Sequence, residues 1–212
     1  MRSSSVKKLV LNAMFLALTF LLGITPIGLI PLGAINVTIL HIPVIAGTLF
    51  MGLKSGLLYG FAFGLCSIMS VYGLTLTAPS GLAAALNAES PLLFILMCML
   101  PRLLVPVTTH YCAALLNRIR FQKHLSLGIS SIIGSITNTI FYLGLMIFFY
   151  EISGLDVAQL MAKLGIKSFW GIMGMIASGA GGLEALAAFL IVPAIVTALR
   201  QVQKQTGGSK AI

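Results

Sequence analysis

The sequence predicts an all-α integral membrane protein of six transmembrane helices, with both termini in the cytoplasm. Three observations carry that reading. Only 8% of the residues are charged and 58% are hydrophobic, whereas a soluble domain carries roughly 25% charged residues. The mean hydropathy of +1.07 leaves more apolar surface than so short a chain can bury, because small domains keep much of their surface exposed. The apolar residues also come in runs of about 20, the length that crosses a bilayer. The chain, 1–212, reads as a single transmembrane domain whose solvent is lipid.

The first span runs from Leu9 to about Ile30, where Pro26 and Pro31 break it. The basic residues ahead of it (Arg2, Lys7 and Lys8) resemble a signal peptide, but no small-residue cleavage site follows, so the segment is expected to be retained. A short second span covers Ile35 to Met51, and a third Leu57 to about Leu76. The loop "TLTAPSGLAAALNAES" is polar enough to leave the bilayer and apolar enough to fold back on it. The fourth span, Pro91 to about Leu116, contains Pro101 and Arg102, and the basic loop "NRIRFQKH" separates it from a fifth, Leu125 to Tyr150. The stretch "EISGLDVAQLMAKLGIKSFWG" has the rhythm of a short interfacial helix. "SGAGG" is a break before the last span, Leu183 to about Leu199.

Charge sets the orientation. With an even number of spans, one side collects the basic residues of both termini and of "NRIRFQKH", together with Lys54 and Arg200. The other holds Lys163 and Lys167 with Glu89, Glu151 and Asp156. The positive-inside rule places the first side in the cytoplasm. The net charge of +9 is then topology and contact with anionic headgroups, and no nucleic-acid motif accompanies it.

Ionisable and amide groups inside spans are costly, about 2.5–3.5 kcal/mol for a charge on insertion scales. Arg102 lies deep in the fourth span, directly after a proline that removes a backbone donor and frees a carbonyl one turn earlier. It either binds an anionic ligand or pairs structurally with Glu184 or a carbonyl. Glu184 falls in the first turn of the last helix, where the helix dipole favours a carboxylate; it caps that helix, orients Arg102 or accepts a ligand hydroxyl. Asn138 in "GSITNTIF" either bonds between helices or reads a ligand amide or hydroxyl. Asn87, before the fourth span, is a turn residue or part of a lid.

Two small-residue patterns concern close approach of helices. Gly52, Gly56, Gly60 and Gly64 recur every fourth position, and Ala13 and Ala17 form a small patch on the first span. Each serves internal packing or docking to a partner helix. Cys66, Cys98 and Cys112 lack metal or redox spacing and read as small buried hydrophobes. His41, His110 and His124 form no metal-ligand pattern. No catalytic triad, carboxylate pair or phosphate loop is visible; "ASGAGG" lacks the Lys-Ser/Thr of a P-loop. No cofactor, metal or catalytic residue is therefore expected, and an integral-membrane enzyme without a visible motif is the alternative class.

"TILHIPVIAGTLFMGLKSGLLYGFAFGLCSIMS" resembles the second and third helices of the substrate-binding S components of energy-coupling factor (ECF) vitamin transporters. "LPRLLV" resembles their fourth-helix basic motif and "EALAAFLIVPAIVTAL" their last helix, so the resemblance covers most of the chain. It is weakest from Tyr150 to Gly182. It implies a subunit of the bacterial plasma membrane that captures a vitamin on the extracellular side. Its implied partners are a transmembrane coupling protein and two cytoplasmic ATPases that deliver the vitamin inward as the subunit topples. It also implies that Ala13 and Ala17, in "AMFLA", dock on the coupling protein. A buried arginine and asparagine with few aromatics suit a small flexible anion. The pattern is similar to pantothenate-type S components, in which an arginine of the fourth helix and asparagines hold the ligand, matching Arg102, Asn138 and Asn87 here. Pyridoxine and folate are the other vitamins considered.

Overall fold

A computed structural model describes residues 2–31, 36–156 and 181–205, with 168, 171, 174 and 179 besides; side chains are described from Val6, and not for 29–31, 36 and 37. The described residues form seven helices and one small hairpin: α1 (Arg2–Ile24), β1 (Leu29–Pro31), β2 (Asn36–Thr38), α2 (His41–Met51), α3 (Leu53–Val71), α4 (Gly81–Glu89), α5 (Pro91–Arg118), α6 (Lys123–Ser153) and α7 (Gly181–Gln205). Five of these helices (α1, α3, α5, α6 and α7) are long and apolar enough to cross a membrane. The expected interfacial helix after Tyr150 lies largely outside the described residues.

The expected second span is the main departure. It begins at His41 rather than Ile35 and has 11 residues, roughly 16 Å of helix at 1.5 Å per residue against a hydrocarbon core of about 30 Å. The missing length has gone into the hairpin, where β1 and β2 pair antiparallel, Leu29 opposite Thr38 and Pro31 opposite Asn36. Pro26 stops α1 early, since the residue before a proline disfavours the helical region. A short α2 is tolerated because protein surrounds it: His41 to Thr48 and Phe50 are all buried. With Phe15, Tyr59, Phe63, Val105, Leu127 and Val192, this helix forms the larger of two cores.

The glycine pattern is internal packing, directed at α5. A Cβ on Gly60 would collide with the carbonyl oxygen of Arg102 and one on Gly64 with Met99, while one on Gly56 would meet Thr48 of α2 first and then Pro106. Gly52 serves a different need, joining α2 to α3 at φ +94°, a conformation that side-chain-bearing residues rarely adopt. The α1 patch is different again: Ala13 and Ala17 are exposed, while Phe15 and Thr19 on the opposite face are buried.

The second core lies under α4. Leu82, Ala83 and Leu86 pack on Phe94, Met97, Cys98, Leu143, Met146, Phe149 and Tyr150. Ser80 caps α4 by accepting from the Ala83 N–H, and the Tyr150 hydroxyl donates to the Leu82 carbonyl. The polar loop expected between the third and fourth spans is therefore a helix lying across α5 and α6.

Candidate functional site

Arg102 is 5% exposed and is the one buried lysine or arginine among the described residues. The chain holds it by an arrangement local to α5. Pro101 has no N–H to give the carbonyl of Met97, four residues back, and Arg102 Nη1 donates to that carbonyl at 3.2 Å. The proline thus creates the acceptor that its neighbour uses. Pro106 does the same to the carbonyl of Arg102, on the side where Gly60 lets α3 come close. Two prolines five residues apart leave α5 one continuous helix with two backbone oxygens released around one arginine.

The guanidinium is also clamped between rings. Its carbon lies 4.3 Å from the centroid of Tyr142 and 5.1 Å from that of Phe63. Each such contact is worth roughly 0.5–2 kcal/mol, the upper end applying when water is excluded. The Tyr142 hydroxyl lies beside Ser80 as well as Arg102. Nε of Arg102 is buried with no partner among the described residues, so one directional donor is left over there.

Arg102 and Tyr142 open onto a cavity of about 30 Å³ whose other walls are Thr38, Ser67, Ser70, Val71, Ser80, Ala83 and Cys98. Its lining is rich in hydroxyls for the interior of an apolar bundle, and Ser70 Oγ has no partner among the described residues. This space holds about one water. Small-molecule sites occupy roughly 300–1,000 Å³, so this cavity as it stands is too small to hold one.

The other residues singled out from the sequence fall around this cavity in different ways. Glu184, 7% exposed, does not ion-pair with Arg102 among the described contacts. Its Oε1 accepts from the Thr38 N–H at 2.8 Å. Thr38 Oγ1 in turn donates to Gly28 O at 3.1 Å and accepts from the Leu40 N–H. Glu184 therefore ties the hairpin, which supplies Thr38 to the cavity wall, to the start of α7. Asn138 is buried in α6 one turn below Tyr142, with Oδ1 unpartnered among the described residues. Asn87 is further away: it sits on α4, accepts from the Tyr72 hydroxyl at 3.0 Å, and does not line the cavity.

Sequence reading missed Phe63, Tyr142, Ser67 and Ser70. A signal for two of them existed, since Ser67 and Ser70 are one helical turn apart in "GLCSIMS". Tyr142 stands four residues after Asn138, on the same face of α6. Both aromatics looked like ordinary lipid-facing residues in an apolar run.

Replacing Glu184 by Ala removes the acceptor of a buried backbone N–H, which costs about 1–3 kcal/mol. Faster amide hydrogen exchange at 36–40 is the expected result, with Glu184→Gln restoring most of the protection. Unchanged exchange in both variants would mean that the hairpin is held by something else.

The described residues form a helical bundle with five helices long and apolar enough to cross a membrane and one buried arginine facing a hydroxyl-lined cavity. The family model for the ECF transporter, substrate-specific component, matches residues 7–199, and the chain belongs to that family. It is thus a substrate-specific subunit of a transporter in the membrane. The family works on a small-molecule substrate with an ECF coupling protein and ATPases. Among curated proteins none matches the chain.

Proposed function

We propose that the whole chain, as one domain, captures pantothenate on the extracellular face of a bacterial plasma membrane. A coupling protein and two ATPases then deliver it inward. The observation that supports this reading most is Arg102: buried, clamped by Phe63 and Tyr142, and keeping a free Nε beside a cavity of hydroxyls. An arginine fork suits a carboxylate. Ser67, Ser70, Ser80 and Thr38 around it suit the hydroxyls and amide of the same ligand. Asn138 reads the ligand from one turn deeper once the cavity has opened. Asn87 acts through α4, as part of its latch to Tyr72, and Glu184 through the hairpin. The end of the bundle carrying Arg118, Lys123, Arg200 and Lys54 faces the cytoplasm.

A thermal-shift panel of B vitamins on the purified protein tests the assignment, because a ligand that binds only the folded state adds stability by mass action, about 2.7 kcal/mol at a hundredfold excess over Kd. Pantothenate is expected to raise the unfolding midpoint, and its alcohol analogue, lacking the carboxylate, to raise it far less. If no vitamin moves the midpoint, the binding assignment fails.

The exposed Ala13 and Ala17 mark the surface for the coupling protein. The face around them, with Leu9, Val10, Met14, Leu18 and Leu21, is apolar and open. Ala13→Trp with Ala17→Trp is expected to abolish co-purification with the coupling protein while leaving vitamin binding intact. Retained co-purification would place the docking surface elsewhere.

A further inference from the structure

At the opposite end of the bundle from the Arg102 cavity lies a second, much larger one, about 1020 Å³. Its cations come from separate elements. Arg120 belongs to the turn between α5 and α6, Lys123 is the first residue of α6, and Arg200 and Lys204 belong to the last turns of α7. Ala113 and Leu127, both buried, form part of its apolar floor. Among the described residues that line it none is acidic, and the chain has only 4 acidic residues in all.

The cations are also placed, not merely abundant. Arg120 takes φ +54°, the left-handed region that residues with a Cβ seldom adopt, and this turns the chain between the two helices. Arg200 Nη2 donates to the carbonyl of Leu49 at 3.2 Å, which fixes its guanidinium at the end of α2. Gln122 precedes α6 without any side-chain cap, so the first N–H groups of that helix keep donors available at the same mouth. A concave basic site over an apolar floor, at the edge of the bilayer, concentrates a field that one bound anion would neutralise.

We propose that this cavity is a binding site for a phosphate-bearing anion, distinct from the vitamin site. Two sources share that chemistry: the headgroup of an anionic phospholipid, whose chains continue along the apolar helix surface, and a soluble phosphate monoester. A basic cytoplasmic surface attracts anionic lipid in general. What sets a site apart is saturation by a defined number of molecules and dependence on these particular side chains.

The test uses the full chain in nanodiscs of phosphatidylcholine with increasing phosphatidylglycerol, and native mass spectrometry to count retained lipid. A parallel arm adds glycerol 3-phosphate to protein in pure phosphatidylcholine discs. The proposal expects one saturable species, either the lipid or the soluble phosphate, lost as salt is raised. Arg120→Gln with Lys123→Gln should weaken it at least roughly tenfold, whereas Lys54→Gln, an exposed cation outside the cavity, should leave it unchanged. Arg120 and Lys123 are exposed, and an unchanged unfolding midpoint confirms that the double variant is folded. The salt dependence of the parent protein supplies the answer independently of any variant. Retention that never saturates overturns the proposal, as does an equal loss in Lys54→Gln or no retention in either arm. It is also overturned if the double variant loses the coupling module but keeps its lipid, because the cavity then takes an acidic protein segment.

Discussion

Arg102→Ala is expected to weaken pantothenate binding by about 2–5 kcal/mol, the range for truncating one partner of a buried, hydrogen-bonded charge pair, or roughly 30- to 4,000-fold in Kd. The alcohol analogue should lose much less, about 1 kcal/mol, because a neutral hydrogen bond replaces a charge-assisted one. Arg102→Lys should recover only part of the loss. It keeps the charge, but lacks the planar fork that donates to Met97 O and stacks between Phe63 and Tyr142. Isothermal titration of both ligands on the three proteins reads the difference. Equal losses for the acid and the alcohol would remove the anion-binding role and leave Arg102 a structural arginine.

Gly60→Ala is expected to damage stability and binding together. The added methyl meets the carbonyl oxygen of Arg102, a backbone atom with no rotamer to escape through. Overpacking of this kind costs about 1–3 kcal/mol. Relief requires α3 and α5 to separate, which moves Phe63 away from the guanidinium it clamps. Gly144→Ala is the control: nothing lies within 4 Å of its Cβ position, and alanine has the better helix propensity. Thermal unfolding should show a lower midpoint for Gly60→Ala and no loss for Gly144→Ala. A Gly60→Ala protein with unchanged stability and affinity would contradict the packing described here.

The large features of the fold were legible because bilayer thickness constrains length. Five runs of apolar residues became five long helices. The second run was misread in extent, since Asn36 to Thr38, read as part of it, pair with Leu29 to Pro31 as a hairpin. Hydropathy reports solvent preference and does not by itself separate a helix from a short strand. The glycine spacing announced a close approach without naming its partner, and only the packed structure shows that it is α5.

The site was legible at its centre and not at its walls. Arg102 stood out because a charge is rare in an apolar run, and Pro101 gave the local reason for its pose. Glu184 was placed in the first turn of the last helix, but its Oε1 accepts from the Thr38 N–H, 146 positions away in the chain. Local pattern carries no information about such a pairing. Tyr142 and Phe63 were hidden for the opposite reason: aromatic residues are ordinary in a membrane helix, and their role depends on which way each helix turns.

The Arg102 cavity is proposed to open and hold one small carboxylate ligand. Equilibrium dialysis of labelled pantothenate against the purified full chain tests it most directly. Saturable binding at one molecule per chain, competed by unlabelled pantothenate and only weakly by the alcohol analogue, is the predicted result. Binding that does not saturate, or that the alcohol displaces as well as the acid does, would contradict it.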